Sequence, residues 1–205
     1  EILRCLVGSE MCIRDRLPTY AFKVTKEIID RATNLEIIAN FGAGYDNIDV
    51  NYAITKGILV TNSPKPVIEP TAELAFSLLL NVARRISECD RKLRSSRGIE
   101  IDVMENLGIS LYGKTLGIVG MGAIGQALAR RASACGMRII YYNRKRLSQE
   151  IENAYEADWV SLNELLATSD FISLHAPATS ETYHMIDIQP VSYTHLRAHE
   201  TSQDL

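Results

Sequence analysis

An α/β fold, with parallel strands joined by helices, is what this 205-residue sequence predicts, and three observations carry the prediction. The first is a short apolar run, Leu116 to Val119, that reads as a buried strand and flows into Gly120-x-Gly122-x-x-Gly125. The second is the alanine-rich segment Gln126 to Ala134, helical in composition, stopped by Gly136 and followed by a β-branched and aromatic run, Met137 to Tyr142. The third is the recurrence of strand-then-helix patterns on both sides of this unit. The β–α–β unit has its glycines where a dinucleotide pyrophosphate needs them. The first permits a tight turn, the second close backbone approach, the third close packing of helix on strand. The helix N-terminus adds N–H groups and a positive dipole end for the phosphates. Glycines serving only a tight turn are the plainer alternative. The expected architecture is a Rossmann-type doubly wound parallel sheet.

About 20 positions further on, the dinucleotide fingerprint expects an acidic residue for the ribose 2′-hydroxyl. This chain has Asn143-Arg144-Lys145-Arg146 there. A carboxylate would repel a 2′-phosphate, whereas a guanidinium fork grips one through paired hydrogen bonds. The expected cofactor is therefore NADP(H) rather than NAD(H), with a solvated basic turn beside an NAD site as the alternative.

Composition narrows the class. The chain is 46% apolar and 23% charged, with a net charge of −3 and a pI of about 5.9. There is no global basic excess of the kind nucleic-acid binding calls for. No apolar run reaches the roughly 18 residues of a membrane span. Cys5, Cys12, Cys89 and Cys135 share no metal-ligand spacing; Cys89 and Cys135 fall in helical patterns and read as buried thiols of a reducing compartment, the cytoplasm.

In chain order, the first 16 residues, EILRCLVGSEMCIRDR, match neither a strand nor a helix period and lack the apolar core of a secretory signal. CLVGSEMCIRDR resembles a translated sequencing adapter, as does PVSYTHLRAHET from Pro190 to Thr201, so both ends are expected to be non-native. That expectation sets aside His195 and His199, whose i, i+4 spacing would otherwise suggest zinc. Val24 to Ala32 reads as a short helix with Thr25 as N-cap. Leu35 to Asn40 is an apolar strand ending in the glycine loop Phe41 to Asp49, at a sheet edge of the kind that binds ligands. Backbone N–H groups there suit a carboxylate; a plain left-handed turn is the equal alternative.

Asn51 to Lys56 is a further helix, Ile58 to Thr61 a strand, and Asn62 to Pro70 a Pro-rich loop. A long helix follows from about Thr71 to Arg94, with Leu74, Leu78, Val82 and Ile86 on one face. Ser95 to Lys114 is a polar connector, and Leu147 to Tyr155 a solvated stretch. Ser161-Leu162-Asn163-Glu164 is a capping box before a short helix ending near Thr168. The strand Phe171 to Leu174 then delivers His175-Ala176-Pro177 to the same edge as the fingerprint glycines. His175 either contacts the cofactor or is a structural histidine; no carboxylate is placed to make it a general base.

The order of motifs resembles the D-isomer-specific 2-hydroxyacid dehydrogenases from about Leu17 to Asp187. GAGYDNIDV (Gly42 to Val50) is similar to that family's substrate-carboxylate loop, Thr61 to Ile86 to its interdomain helix, Gly113 to Ala132 to its cofactor fingerprint, and Ser169 to Thr179 to a later cofactor-side strand and loop. The resemblance implies a partial flavodoxin-like substrate domain over 17–94, a partial Rossmann domain over 95–189, and adapter-like ends at 1–16 and 190–205. It implies hydride transfer between nicotinamide and C2 of a small 2-hydroxy or 2-oxo acid, with glyoxylate or hydroxypyruvate favoured. Ala43 and Gly44 would donate N–H groups to the substrate carboxylate, and Thr71 would sit near the nicotinamide. Gly120, Gly122, Ala123, Ile124 and Gly125 would hold the pyrophosphate, Asn143, Arg144 and Arg146 the 2′-phosphate, while His175, Ala176 and Pro177 would line the cofactor. Members pair through the cofactor domain, which implies a homodimer for the intact parent.

The same resemblance places the family's catalytic arginine, acidic residue and histidine downstream of the His-Ala-Pro loop, so no catalytic residue is expected in this chain. A histidine acid/base contributes roughly two to four orders of magnitude in rate, so little turnover is expected from the chain as written. Two other readings share the fold: a non-catalytic dinucleotide-sensing protein of corepressor type, and a formate dehydrogenase.

Overall fold

The computed structural model describes residues 15–16, 18, 22–95, 98, 102, 104–177, 182 and 185–186. The chain divides between Ile68 and Glu69 into two compact units. The sequence reading put the division after Arg94. The long helix belongs mostly with the second unit because Glu69 on it pairs with both Arg130 and Arg131 at 2.9 and 2.6 Å.

In the first unit, β1 (Asp15–Arg16), β2 (Ile37–Asn40) and β3 (Leu59–Asn62) form a parallel sheet in that order. Helices α1 (Lys26–Arg31) and α2 (Val50–Thr55) supply the crossovers. Val24, Ile29, Leu35, Ile38, Ile48, Ala53 and Ile58 make its buried core. Asp15 and Arg16 pair with Ile37 and Ile38, although the first 16 residues show no strand period in sequence. Strand pairing is made by backbone groups, so an open edge of β2 can recruit a segment with no apolar period.

The loop expected from Asn62 to Pro70 is helical from its fourth residue. Helix α3 spans Lys65–Arg84 with Pro70 inside it. Pro66 suits a first helical turn, and Pro70 forfeits only the bond that its N–H would have made to the Pro66 carbonyl. The helix expected to reach Arg94 breaks at Arg85, whose φ is 56°, and resumes as α4 (Ile86–Arg94). Arg85 is held in this left-handed conformation by Glu88, bonded through Nε at 2.7 Å, while Ser87 N donates to Asn81 Oδ1 at 2.8 Å. Gly108 lies against the break: a Cβ there would stand 2.7 Å from the Ala83 carbonyl oxygen.

The second sheet is parallel, in the order β6 (Ala157–Trp159), β5 (Arg138–Tyr142), β4 (Thr115–Val119), β7 (Phe171–Leu174). Three helices connect it: α5 (Ala123–Ala134), α6 (Gln149–Tyr155) and α7 (Leu162–Thr168). The chain moves outward from β4 to β5 to β6, then returns across to β7 beside β4, so β4 and β7 flank the switch point of a doubly wound sheet. Right-handed crossovers then put α7 on the face opposite α5 and α6. The β4 sequence fits both faces. Gly117 gives way to Leu165 of α7 and to its C-cap Ser169, and Ile118 lies against Gly125 of α5.

Helix α6 and strand β6 replace the expected solvated stretch over Leu147 to Tyr155 and its continuation. The apolar period was absent because a glutamate, Glu152, fills the inward position at 4% exposure. The capping box holds, with Ser161 Oγ accepting from Glu164 N at 3.2 Å. Cys89 is half-buried and Cys135 is exposed, which corrects the expectation of buried thiols; Cys135 caps the C-terminus of α5 and so lies past its buried face. Among the described residues, no helix is long and apolar enough to cross a membrane and no cluster could hold a metal ion. His195, His199 and the terminal segments 1–14 and 190–205 lie outside the described residues.

Leu165 is fully buried at the centre of the cluster with Val119, Ile140 and Leu166. Leu165→Ala is expected to lower unfolding free energy by about 2–5 kcal/mol in urea denaturation followed by circular dichroism.

Candidate functional site

At the C-terminal edge of the second sheet, β4 ends in a turn that only glycine allows. Gly120 has φ of 95°, and a Cβ there would lie 2.7 Å from both Ala176 N and the His175 carbonyl carbon. Two backbone bonds lock the turn between its neighbouring strands: Gly120 N to Tyr142 O at 3.0 Å, and His175 N to Val119 O at 2.8 Å. A third bond comes from Met121 N to the Asn143 side-chain oxygen at 2.7 Å. Gly125 is required too, since its Cβ would meet the Gly120 oxygen at 2.6 Å.

Gly122 is different. It is the N-cap of α5, its φ is an ordinary −81°, and a Cβ there would meet nothing within 4 Å. Nothing in the protein demands glycine at this position, so the open space belongs to whatever approaches the helix end. The first helical bond runs from Gln126 N to Gly122 O at 2.9 Å. The N–H groups of Ala123, Ile124 and Gly125 therefore precede the helical ladder and point out of the N-terminus, the arrangement that receives phosphate. The residues present fit a dinucleotide pyrophosphate.

The basic stretch after β5 is ordered by a buried carboxylate. Glu152 of α6 accepts from Tyr141 Oη at 2.7 Å and from Arg146 Nε and Nη2, both at 2.8 Å. Leu147 N in turn donates to the Tyr141 hydroxyl at 2.9 Å. Hydrogen bonds from Arg146 and then Tyr141 hold the Glu152 pKa down to about 2. Burial, reinforced by the Glu152 bond, pushes the Tyr141 hydroxyl up. The Nε/Nη2 edge of Arg146, expected for a 2′-phosphate, is thus committed to Glu152. Arg144 is exposed in the same turn, and Asn143 is half-buried, its backbone oxygen accepting from Trp159 Nε1 at 3.2 Å. Sequence reasoning missed the Tyr141–Glu152 pair, which joins side chains eleven residues apart on different elements.

His175 is half-buried, and its Nε2 lies 2.9 Å from Ser173 Oγ. Burial lowers its pKa, so the ring is neutral at neutral pH, and its described partner is a hydroxyl rather than a carboxylate. Ala176 packs against the Val119–Leu165 cluster, while Pro177 is exposed and its oxygen accepts from Thr182 Oγ1 at 2.8 Å. Thr71 is exposed on α3, between Glu69 and Glu73, which both pair with Arg131.

In the first unit, Ala43 and Gly44 lie in the loop after β2. Neither Gly42 nor Gly44 has a positive φ, so the loop is not the plain left-handed turn that the sequence also allowed. Two asparagine amides that sequence reasoning passed over, Asn40 and Asn62, bond to the carbonyls of this loop.

A parallel doubly wound sheet with a phosphate-ready helix end at its switch point defines a Rossmann-type dinucleotide-binding domain. Comparison with known proteins agrees. Residues 76–194 match the family described as D-isomer specific 2-hydroxyacid dehydrogenase, NAD binding domain. A glyoxylate reductase of Thermococcus litoralis is 53% identical over 168 residues, 80% of this chain and 50% of that protein. The crystal structure of a glyoxylate reductase from Paecilomyes thermophila superposes with a TM-score of 0.79 at 34% identity, covering 94% of this chain and 59% of that one. A D-lactate dehydrogenase from Aquifex aeolicus, complexed with NAD and lactic acid, gives a TM-score of 0.79 at 31% identity, with 90% and 54% covered. The chain belongs to the D-isomer specific 2-hydroxyacid dehydrogenase family. It spans about half the length of the relatives it matches.

The glycines separate folding from binding. Gly125→Ala is expected to cost about 1–3 kcal/mol of stability through its backbone clash. Gly122→Ala is expected to leave the urea midpoint unchanged while weakening dinucleotide binding by about tenfold, the worth of one lost hydrogen bond. Glu152 supplies a pH signature. Its folded-state pKa of about 2 lies below the ordinary 4.5, so its contribution to stability is full above 4.5 and is lost as pH falls through 2. Glu152→Gln should therefore be less stable than the parent chain at pH 7, with the gap shrinking steadily when the urea titrations are repeated below pH 4.

Proposed function

We propose that this chain is the cofactor-holding and substrate-carboxylate-holding portion of an NADP(H)-preferring D-2-hydroxyacid dehydrogenase, with glyoxylate or hydroxypyruvate as the substrate reduced. The observation that carries the reading is the Gly122 opening at the N-terminus of α5, together with a β5 end that offers Asn143, Arg144 and Lys145 in place of a carboxylate. The glyoxylate reductase names of the relatives support the substrate class.

When bound, the nicotinamide cofactor supplies or accepts the hydride exchanged with C2 of the substrate. The chain's own residues bind and orient. The N–H groups of Ala123, Ile124 and Gly125 receive the pyrophosphate, and Gly122 leaves room for it. Asn143 and Arg144 take the adenosine 2′-phosphate. Arg146 braces the turn through Glu152, and its Nη1 is the atom left to face a phosphate. Ala176 and Pro177 line the cofactor beside the Gly120 turn, with neutral His175 holding that edge through Ser173. Thr71 faces the nicotinamide end. Ala43 and Gly44 donate to the substrate carboxylate.

Leu74, Leu78, Ile86 and Leu93 are 61%, 36%, 54% and 64% exposed along α3 and α4, an apolar series that supports a homodimer formed through the second unit. The free thiols Cys89 and Cys135 support a reducing compartment such as the cytoplasm.

Titration of the chain with NADPH and with NADH, read by nicotinamide fluorescence, tests the cofactor reading. NADPH is expected to bind roughly tenfold to a hundredfold more tightly, the range of a charge-assisted hydrogen bond, and Arg144→Ala is expected to erase that ratio. Equal affinity for the two would assign the site to NAD(H); no binding of either would overturn the reading.

A further inference from the structure

The Gly42–Tyr45 loop is held by its carbonyls. Ser63 N donates to Gly42 O at 2.9 Å, Asn62 Nδ2 to Ala43 O at 2.7 Å, and Asn40 Nδ2 to Gly44 O at 2.6 Å. Asn40 and Asn62 are the last residues of β2 and β3 and are register partners in the parallel pair. Two adjacent strand ends thus carry two side-chain amides, each anchoring a successive peptide. Because a carbonyl can only accept, each amide must turn its NH2 group toward the loop. Asn40 is itself fixed in place, 2% exposed, with Oδ1 accepting from Asn47 Nδ2 at 3.3 Å. Asn47 Nδ2 also donates to Phe22 O at 3.0 Å.

Peptide geometry turns this anchoring into a binding surface. In a trans peptide the N–H points opposite to the carbonyl that precedes it, and the chain has no cis bond among the described residues. Fixing the oxygens of Gly42 and Ala43 toward the end of β3 aims the N–H groups of Ala43 and Gly44 away from it. Fixing the Gly44 oxygen on Asn40 aims the Tyr45 N–H away from the end of β2. None of these three N–H groups donates to an acceptor among the described residues. Three donors on consecutive residues, each backed by a bonded carbonyl, suit an anion with two oxygens. Neither asparagine adds a charge that would oppose it.

We propose that Asn62 and Asn40 are positioning residues of this loop, and that the Tyr45 N–H joins those of Ala43 and Gly44 in receiving the carboxylate of a 2-oxo acid. The inference rests on the proposed role of the loop in substrate binding and adds to it a third donor and the two side chains that aim all three. Asn62 acts only through the Ala43 carbonyl; it is exposed at the strand end, so its replacement leaves the buried core of the unit untouched.

The test is a titration of the 15N-labelled chain with sodium glyoxylate, following backbone amide shifts. Saturable shifts are expected at Ala43, Gly44 and Tyr45, with none from glyoxylamide, its uncharged counterpart. Asn62→Ala, and Asn62→Asp, which keeps the shape without the donor, are each expected to weaken glyoxylate by roughly tenfold. Asn62→Gln, which keeps a donor, should recover part of the loss. A merely structural asparagine would not make the shifts carboxylate-specific or donor-dependent. Unchanged affinity in Asn62→Ala would overturn the positioning role, an unmoved Tyr45 amide would overturn the third donor, and no shift in the parent chain would overturn the proposal entirely. NADPH binding is read separately at the second unit, so a failure here is distinguishable from failure of the dehydrogenase reading.

Discussion

One backbone contact governs the second unit: the turn at Gly120 pressed onto the His175–Ala176 peptide. Strands β4 and β7 are distant in sequence and adjacent in space, and their C-terminal ends meet where the sheet changes direction. A side chain at residue 120 would overlap the opposing backbone. Its absence lets the chain cross at the switch point, brings the N-terminus of α5 to the sheet edge, and leaves Gly122 facing open space. The Asn143 side chain, bonded to Met121 N, ties the end of β5 to the same turn. Phosphate-ready N–H groups and the basic stretch that would read the far end of a dinucleotide are thereby fixed relative to each other by short, mostly backbone links.

Polar side chains then do the finer positioning in both units, and they do so from places where a core would ordinarily be apolar. Glu152 is buried as a carboxylate because Tyr141 and Arg146 satisfy it; without them the same position would demand an apolar residue or a neutral acid. Its effect is to pin the turn from Asn143 to Leu147 at both ends. Asn40, also buried, is satisfied by Asn47 and the Gly44 carbonyl, and its effect is to fix the loop after β2. In each case the polar group lies one step behind the residues proposed to face a ligand, where ordering matters more than direct contact.

The β4–α5–β5 unit was legible in the sequence because local and global signals agree there: an apolar strand, glycines at fixed spacing and an alanine-rich helix specify one structure. The capping box at Ser161 was legible for the same reason. Helix α6 was not, since its inward residue is Glu152 and an apolar period was the cue. The start of α3 was misplaced because Pro70 reads as a boundary, while the true first turn accommodates Pro66 and the helix absorbs the second proline at the loss of one bond. The break at Arg85 left no cue at all: a left-handed arginine depends on Glu88, Asn81 and the Gly108 backbone, partners that only the folded chain assembles. The candidate site followed the same division. Glycine positions were read directly, whereas the commitment of Arg146 to Glu152 and the anchoring of Ala43 by Asn62 join residues through tertiary contacts that spacing does not encode.

The most direct test of the account is a crystal structure of the chain grown with NADPH. The account predicts the pyrophosphate on the N–H groups of Ala123, Ile124 and Gly125 over Gly122, and the 2′-phosphate against Arg144, with the Arg146–Glu152 pair intact. A dinucleotide bound elsewhere, or one whose 2′-phosphate displaces Glu152 from Arg146, would contradict it.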